Sequence, residues 1–328
     1  MPQNVPFLAV VNDLLDEGKP FPAHYLHHLS NLEPDDLILL TEIWSQVSPG
    51  RKRTLLEDLE DLAEADALTS FENLARSLLA DADSQVRTRA IRLLWDCDDA
   101  KLVPAYLDIL NSDEDVDVRA AAANALGQFV YLGELEKIPA ELHQGLEDQL
   151  FAAATSAKET LVRRRALESL GYSGRAEVVP LIEAAYREKD PAWVVSALFA
   201  MGRSCDDRWR KQVLSQLRSP DYDIRSGAIH AAGELELESA RIVLLGILDD
   251  EEDLEVRREL IWALSRIGGE GVRARLEELH EIEEDDSETD FIEEALDALY
   301  FTEDMGGFSL FDVDPEVDFI EEDPNEDL

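Results

Sequence analysis

Residues 115–127 read DVDVRAAAANALG. Five other stretches align with them without a gap: DSQVRTRAIRLLW at 83–95, ETLVRRRALESLG at 159–171, DPAWVVSALFAMG at 190–202, DYDIRSGAIHAAG at 221–233 and DLEVRRELIWALS at 253–265. Their large apolar anchors are Val86, Val118, Val162, Trp193, Ile224 and Val256, spaced 32, 44, 31, 31 and 32 residues apart. One unit is therefore about 31 residues, and the long second interval carries an insertion of about a dozen, a period in the range of repeat architectures.

Each column has a physical meaning. The first residue is always acidic: Asp83, Asp115, Glu159, Asp190, Asp221 and Asp253. A carboxylate there can accept from the free N–H groups of a first helical turn and oppose the positive helix end. Small or apolar residues then recur on one helical stripe, as in Val118, Ala122, Ala125 and Leu126. The stripe predicts Val86, Ala90, Leu94 and their equivalents through Val256, Leu260 and Leu264 as core, Trp193 and Ile224 included. Gly127, Gly171, Gly202 and Gly233 close four units, which suits either a helix C-terminus or close packing. A second amphipathic helix lies upstream of each segment, for example Leu102-Val103-Tyr106-Leu107-Leu110. A single helical hairpin cannot bury its own apolar face, but a stack of hairpins can, as a curved α-solenoid. No segment shows the period-2 alternation of strands.

The pattern D-x-x-V-R-x-x-A-x-x-A-L-G resembles HEAT repeats, of the short type first described in phycobiliprotein lyases, over roughly residues 69–275. The resemblance implies an all-α fold, a right-handed α-solenoid of HEAT-like helical hairpins whose second helices line a concave, partner-binding surface. It specifies fold well and function poorly. The expected organisation is an N-terminal helical cap at 1–68, outside the repeat register, a solenoid at 69–301 ending in a capping helix, and an acidic disordered tail at 302–328. The capping helix is read at 287–301, with Phe291, Leu296, Leu299 and Tyr300 on its packed side. The insertion at Phe129–Gln144 is read as an extended helix end followed by a loop, because it contains Gly133 and Pro139.

The formal net charge of −43 argues against nucleic acid and against anionic lipid as partners, since both require a cationic footprint. No apolar run approaches the roughly 20 residues of a membrane helix. The N-terminus lacks the basic and apolar regions of a targeting peptide. Cys97 and Cys205 stand 108 residues apart with no CxxC, so reduced thiols and a cytoplasmic location are expected.

No catalytic residue, cofactor or metal is expected. His24, His27 and His28 form the one histidine cluster and read as solvated surface, whereas His143, His230 and His280 are isolated in sequence. Among HEAT-like enzymes, deoxyhypusine hydroxylases carry repeated His-Glu dinucleotides as iron ligands. This chain has one, His280-Glu281, so the resemblance does not extend to that chemistry. HEAT-like DNA glycosylases need a basic groove, which the charge opposes. Trp44, Trp95, Trp193, Trp209 and Trp262 read as core.

The expected role is a non-enzymatic scaffold or adaptor for another protein of unknown identity. The alternative implied by the resemblance is a bilin lyase or lyase chaperone acting on a phycobiliprotein-type substrate. The candidate partner-binding residues are Arg119, Arg163, Arg164, Arg165 and Arg225, with Phe308, Phe311 and Phe319 in the tail. Arg119 and Arg225 belong to the column after the anchor, where an Arg can reach the acid four residues back or the acid of the next unit. The tail mixes 11 acids and no base with large apolar residues over 302–328, the composition of a short interaction motif. It can serve a basic partner, fold back on the solenoid, or only solubilise.

Overall fold

The computed structural model describes residues 7–307, with side chains through residue 300, and every regular element in it is a helix. From the N-terminus come α1 (Phe7–Leu15), a 3-10 turn (Ala23–Leu29), α2 (Pro34–Trp44) and α3 (Pro49–Ala65). Hairpins follow: α4 (Glu72–Leu78) with α5 (Ser84–Arg92), α6 (Leu102–Ser112) with α7 (Val116–Glu134), α8 (Ala140–Ser156) with α9 (Thr160–Leu170), and α10 (Val178–Tyr186) with α11 (Pro191–Arg203). The remainder is α12 (Arg210–Gln216), α13 (Tyr222–Glu234), α14 (Arg241–Leu248), α15 (Leu254–Ile267), α16 (Val272–Ile282) and α17 (Asp286–Gly307). The fold is an all-α solenoid. Among the described residues it forms two compact units: the residues through Trp209 together with Pro220–Gly227, and Arg210–Ser219 together with the described residues from Ala228.

In the first unit the helices α3, α5, α7, α9 and α11 lie side by side as one rank, and α5, α7, α9 and α11 are each backed by the first helix of their hairpin. In the second, α15 packs on α14 and α17. The expected stripe is the core. Val86, Ala90, Val118, Ala122, Leu126, Ala166, Leu170, Ala197, Val256 and Leu260 are fully buried. Trp193 and Ile224 depart from it and are only half-buried. Trp193 instead lies under the Arg163 guanidinium, 5.2 Å from ring centroid to Cζ.

The acid column caps helices as its chemistry requires. Asp83 accepts from the N–H groups of Gln85 and Val86 at 3.0 and 3.3 Å, and Asp115 from those of Asp117 and Val118 at 2.9 and 3.4 Å. Asp190, Asp221 and Asp253 do the same. Glu159 does not. Its side chain is one methylene longer than Asp, and it pairs instead with Arg119 Nη2 at 3.1 Å.

The Arg column ties one unit to the next. Arg87 donates twice to Asp113, at 2.8 and 2.7 Å, and once to its own Asp81 carbonyl at 2.8 Å. Arg257 meets Glu283 at 3.0 Å in the second unit. The closing glycines serve close packing. A Cβ on Gly171 would lie 2.7 Å from Ala200 Cα, and one on Gly233 would lie 2.7 Å from the Trp262 ring. Neither glycine has a positive φ.

Three expectations change. First, α3 is in repeat register: Ser48 caps it, Lys52 stands where Arg87 stands, and Leu55, Leu56 and Leu59 are buried. Lys52 bonds Asp81 at 2.8 Å, the role Arg87 plays toward Asp113. A charged Arg51 at the anchor position hid this unit from a search for Val. Second, the insertion is an extended helix end followed by a loop, as expected, but the loop is only residues 135–139 and a helix resumes within the insertion. It lengthens α7 to Glu134 and starts α8 at Ala140, because Phe129, Val130 and Leu132 continue the buried stripe. Third, the packed face of α17 is Glu288, Ile292, Ala295 and Leu299, and Tyr300 is exposed. That helix reaches Gly307, past the expected end at residue 301. The tail residues Phe308, Phe311 and Phe319 lie outside the described residues. No helix among the described residues is long and apolar enough to cross a membrane.

Candidate functional site

The exposed faces of α3, α5, α7 and α9 in the first unit enclose a cleft of about 1570 Å³. Its aromatic wall is Trp95, Tyr131 and Tyr172. The core stripe that starts on α5 ends at Leu94 in the turn after the helix, and Trp95 beyond it stands 65% exposed, contrary to the core placement expected for it. Tyr131 sits on the lengthened end of α7, opposite the buried Phe129 and Val130, and is 48% exposed. The Tyr131 and Tyr172 rings meet at 5.6 Å, tilted by 54°.

Arginines frame this wall. The Arg203 guanidinium lies 5.1 Å from the Tyr172 centroid, and its Nη1 donates to the Glu168 carbonyl at 3.0 Å. Arg165 Nη1 donates to the Glu168 carboxylate at 2.6 Å. The other oxygen of that carboxylate accepts from the Ser196 hydroxyl at 2.6 Å. Glu168 is buried, so this charge-assisted pair fixes Arg165 at the cleft wall rather than leaving it to sample solvent. Toward α3 the lining turns acidic, with Glu60, Glu64, Asp96 and Asp98. Burial pushes the Glu60 carboxyl above its ordinary pKa, although Arg89 and Arg92 oppose the shift.

The three consecutive arginines diverge, as successive helical positions about 100° apart must. Arg165 faces the cleft. Arg163 Nε donates to the Ala154 carbonyl at 3.2 Å, and Arg164 Nη1 donates to that of Ala192 at 3.1 Å. Arg119 bridges Glu159 and the Asp113 loop on the side of α8. Arg225 packs over Tyr222 at 5.8 Å. The cleft thus gathers one of the expected arginines with Trp95, which the sequence reading placed in the core, and with Tyr131, Tyr172 and Arg203, which sequence reasoning did not single out. Position along the stripe was the available signal for Trp95 and Tyr131, since both fall off the buried face.

His24 and His27 are exposed on a 3-10 turn, where the three-residue period separates His24 from His28. Among the described residues, Glu134, His143 and Glu147 are the group of His, Cys, Asp or Glu whose ligand atoms converge, all within 4.8 Å of one another.

The family model for HEAT repeats matches residues 71–140, 194–265 and 210–299, which together span more than half of the chain. The chain belongs to the HEAT-repeat family. The chain is 30% identical over 167 residues to the uncharacterized phycocyanin operon protein Z of Pseudanabaena tenuis (strain PCC 7409). That match covers 50% of this chain and 80% of the relative. Among solved structures, Escherichia coli YibA aligns with 84% of this chain and 96% of its own at 17% identity, with a TM-score of 0.40. Human deoxyhypusine hydroxylase aligns with 80% of this chain and 95% of its own at 18% identity, with a TM-score of 0.35. Importin beta aligns with 89% of this chain and 46% of its own at 11% identity, with a TM-score of 0.41.

Proposed function

We propose that this HEAT-repeat chain is a non-enzymatic scaffold that holds another protein in the cleft of its first unit. The observation that carries the reading is the exposed aromatic wall of Trp95, Tyr131 and Tyr172, framed by Arg165 and Arg203. Tyr, Trp and Arg are the residues that dominate binding energy at protein interfaces. The cleft, at about 1570 Å³, exceeds the roughly 300–1,000 Å³ of small-molecule pockets and suits a protein segment better. Its mixed lining favours a segment carrying apolar side chains and both signs of charge, and the overall charge of −43 disfavours nucleic acid and anionic lipid. The test is affinity capture with the wild type and with Arg165→Glu. Charge reversal at Arg165 is expected to weaken the captured complex, whereas Arg163→Glu and Arg164→Glu, outside the cleft, leave it intact. Equal effects of all three would place the interface elsewhere.

A second reading rests on one comparison. The relative's name places it in a phycocyanin operon. On that reading the chain is a bilin lyase or lyase chaperone acting on a phycobiliprotein-type substrate. Co-expression with a phycobiliprotein subunit and a bilin distinguishes the two: a coloured adduct forms only if the second reading holds.

A further inference from the structure

We propose that Glu134, His143 and Glu147 form a binding site for one divalent transition-metal ion, at the junction of the inserted hairpin with the loop after α9. His143 and Glu147 are four residues apart on α8 and share a face, and Glu134 is the last residue of α7. His143 Nε2 lies 3.9 Å from Glu134 Oε1 and 3.8 Å from Glu147 Oε1. Both separations are too long for a hydrogen bond. The nitrogen is buried and has no hydrogen-bond partner.

Three electron-pair donors therefore face one another around a small space. In the neutral tautomer with the proton on Nδ1, Nε2 presents a lone pair to two acceptor-only carboxylates. A proton on Nε2 would reach neither oxygen well. A cation at the centre satisfies all three. Metal–ligand bonds of about 2.0–2.2 Å place tetrahedral ligands roughly 3.4 Å apart, so the two His143 pairs have to close by about half an ångström, and the two carboxylate oxygens, within 4.8 Å of each other, by at most about 1.4 Å.

The ligands are also held from behind, as metal ligands usually are. The Ser173 hydroxyl donates to Glu147 Oε1, and the Gly174 N–H donates to Glu134 Oε1 at 2.8 Å. Glu147 is 93% buried by side chain, with 7% of its surface exposed, so its carboxylate cannot turn to water. The imidazole packs close against Gly133, where an added Cβ would collide with His143 Cδ2 and Cγ, so the glycine makes room for the ring. One nitrogen and two carboxylates make a borderline ligand set suited to zinc or manganese, with water completing the shell.

The probe is Zn2+ titrated into the full-length chain against a chelator of known affinity. One tight equivalent is expected, and His143→Gln and Glu134→Gln are each expected to weaken it by more than about 10-fold, with Ser173→Ala near 10-fold. His280→Gln is the control and should retain the tight equivalent. Identical stoichiometry and affinity in the wild type and His143→Gln would overturn the site and assign the binding to the acidic surface. Imidazole NMR needs no variant: one equivalent of Zn2+ should move the His143 signals and leave those of His24 and His27 in place. Unmoved His143 signals at one equivalent would also overturn it.

Discussion

His230 shows how single side chains couple this protein to pH. Its Nδ1 lies 2.8 Å from Glu259 Oε1, its Nε2 lies 3.5 Å from Glu234 Oε1, and its ring stacks on Trp262 at 4.7 Å. Burial pulls its pKa down, but the hydrogen bonds and charges of Glu234 and Glu259 outweigh it and lift the value from 6.5 to about 9. Because the folded value is above the unfolded one, the stabilisation is full below pH 6.5 and is lost as pH rises through about 9. A shift of this size corresponds to roughly 3 kcal/mol. Thermal melts from pH 6 to 10 are expected to show that loss, and His230→Asn should flatten the profile. An unchanged slope in the variant would contradict the assignment. The caps act at the other end of the pH range. A hydrogen bond from Ser84 and those from its own helix hold Asp115 below the ordinary carboxylate pKa. Its contribution is present above that ordinary value and disappears as pH falls through the depressed one. Asp115→Ala should cost about 1 kcal/mol in denaturant titrations. Glu159→Ala removes only a half-exposed ion pair and should cost a few tenths. A cost for Glu159→Ala equal to that of Asp115→Ala would show that column acidity, not capping, is what stabilises.

The helices are joined by close approach at glycine as much as by side-chain interdigitation. Gly171→Ala makes the point quantitatively. Gly171 caps α9 with helical φ and ψ that Ala can adopt, so the smaller freedom of Ala in the unfolded chain would alone favour it by about 0.4–1 kcal/mol. Here the new methyl would meet the Ala200 backbone at 2.7 to 2.8 Å, and backbone cannot swing aside. Overpacking of about 1–3 kcal/mol should win, so the variant is expected to melt lower; a higher Tm would show that α9 and α11 have room to separate. Val162→Ala, at a buried anchor, should cost roughly 1–3 kcal/mol through the cavity it leaves. Hydrogen exchange should then quicken in α9 and its neighbours α7 and α11 before it does in α15–α17, since repeats couple mainly to nearest neighbours. The six repeats were legible in sequence because Asp, Val and Arg recur at fixed offsets. The unit containing α3 was not, because Arg51 occupies its anchor and Lys52 replaces Arg in its column. The packed face of α17 was misread for a similar reason: a buried Glu288, bonded by Arg258 at 2.7 Å, stands where the pattern demands Val.

For the molecule as a whole, the sequence established the stack of hairpins and left its working surface open. Periodicity reports which side of each helix is buried. It does not report which of the outward residues from separate repeats come together. Trp95, Tyr131, Tyr172 and Arg203 lie up to 108 residues apart and meet only because α5, α7, α9 and α11 are ranked side by side. The convergence of Glu134 with His143 and Glu147 was hidden likewise, since it depends on a turn at 135–139 that folds the insertion back on itself. The central claim, that the cleft of the first unit holds a protein partner, is tested most directly by quantitative affinity capture from the native host. The bait is the full-length chain beside its Trp95→Ala/Tyr131→Ala variant. Both residues are largely exposed, so the variant should keep the wild-type circular dichroism and melting temperature. A protein recovered by the wild type and depleted at least about tenfold by the folded variant is the predicted result, consistent with loss of two aromatic contacts. The same proteins recovered in the same amounts by both baits would contradict it.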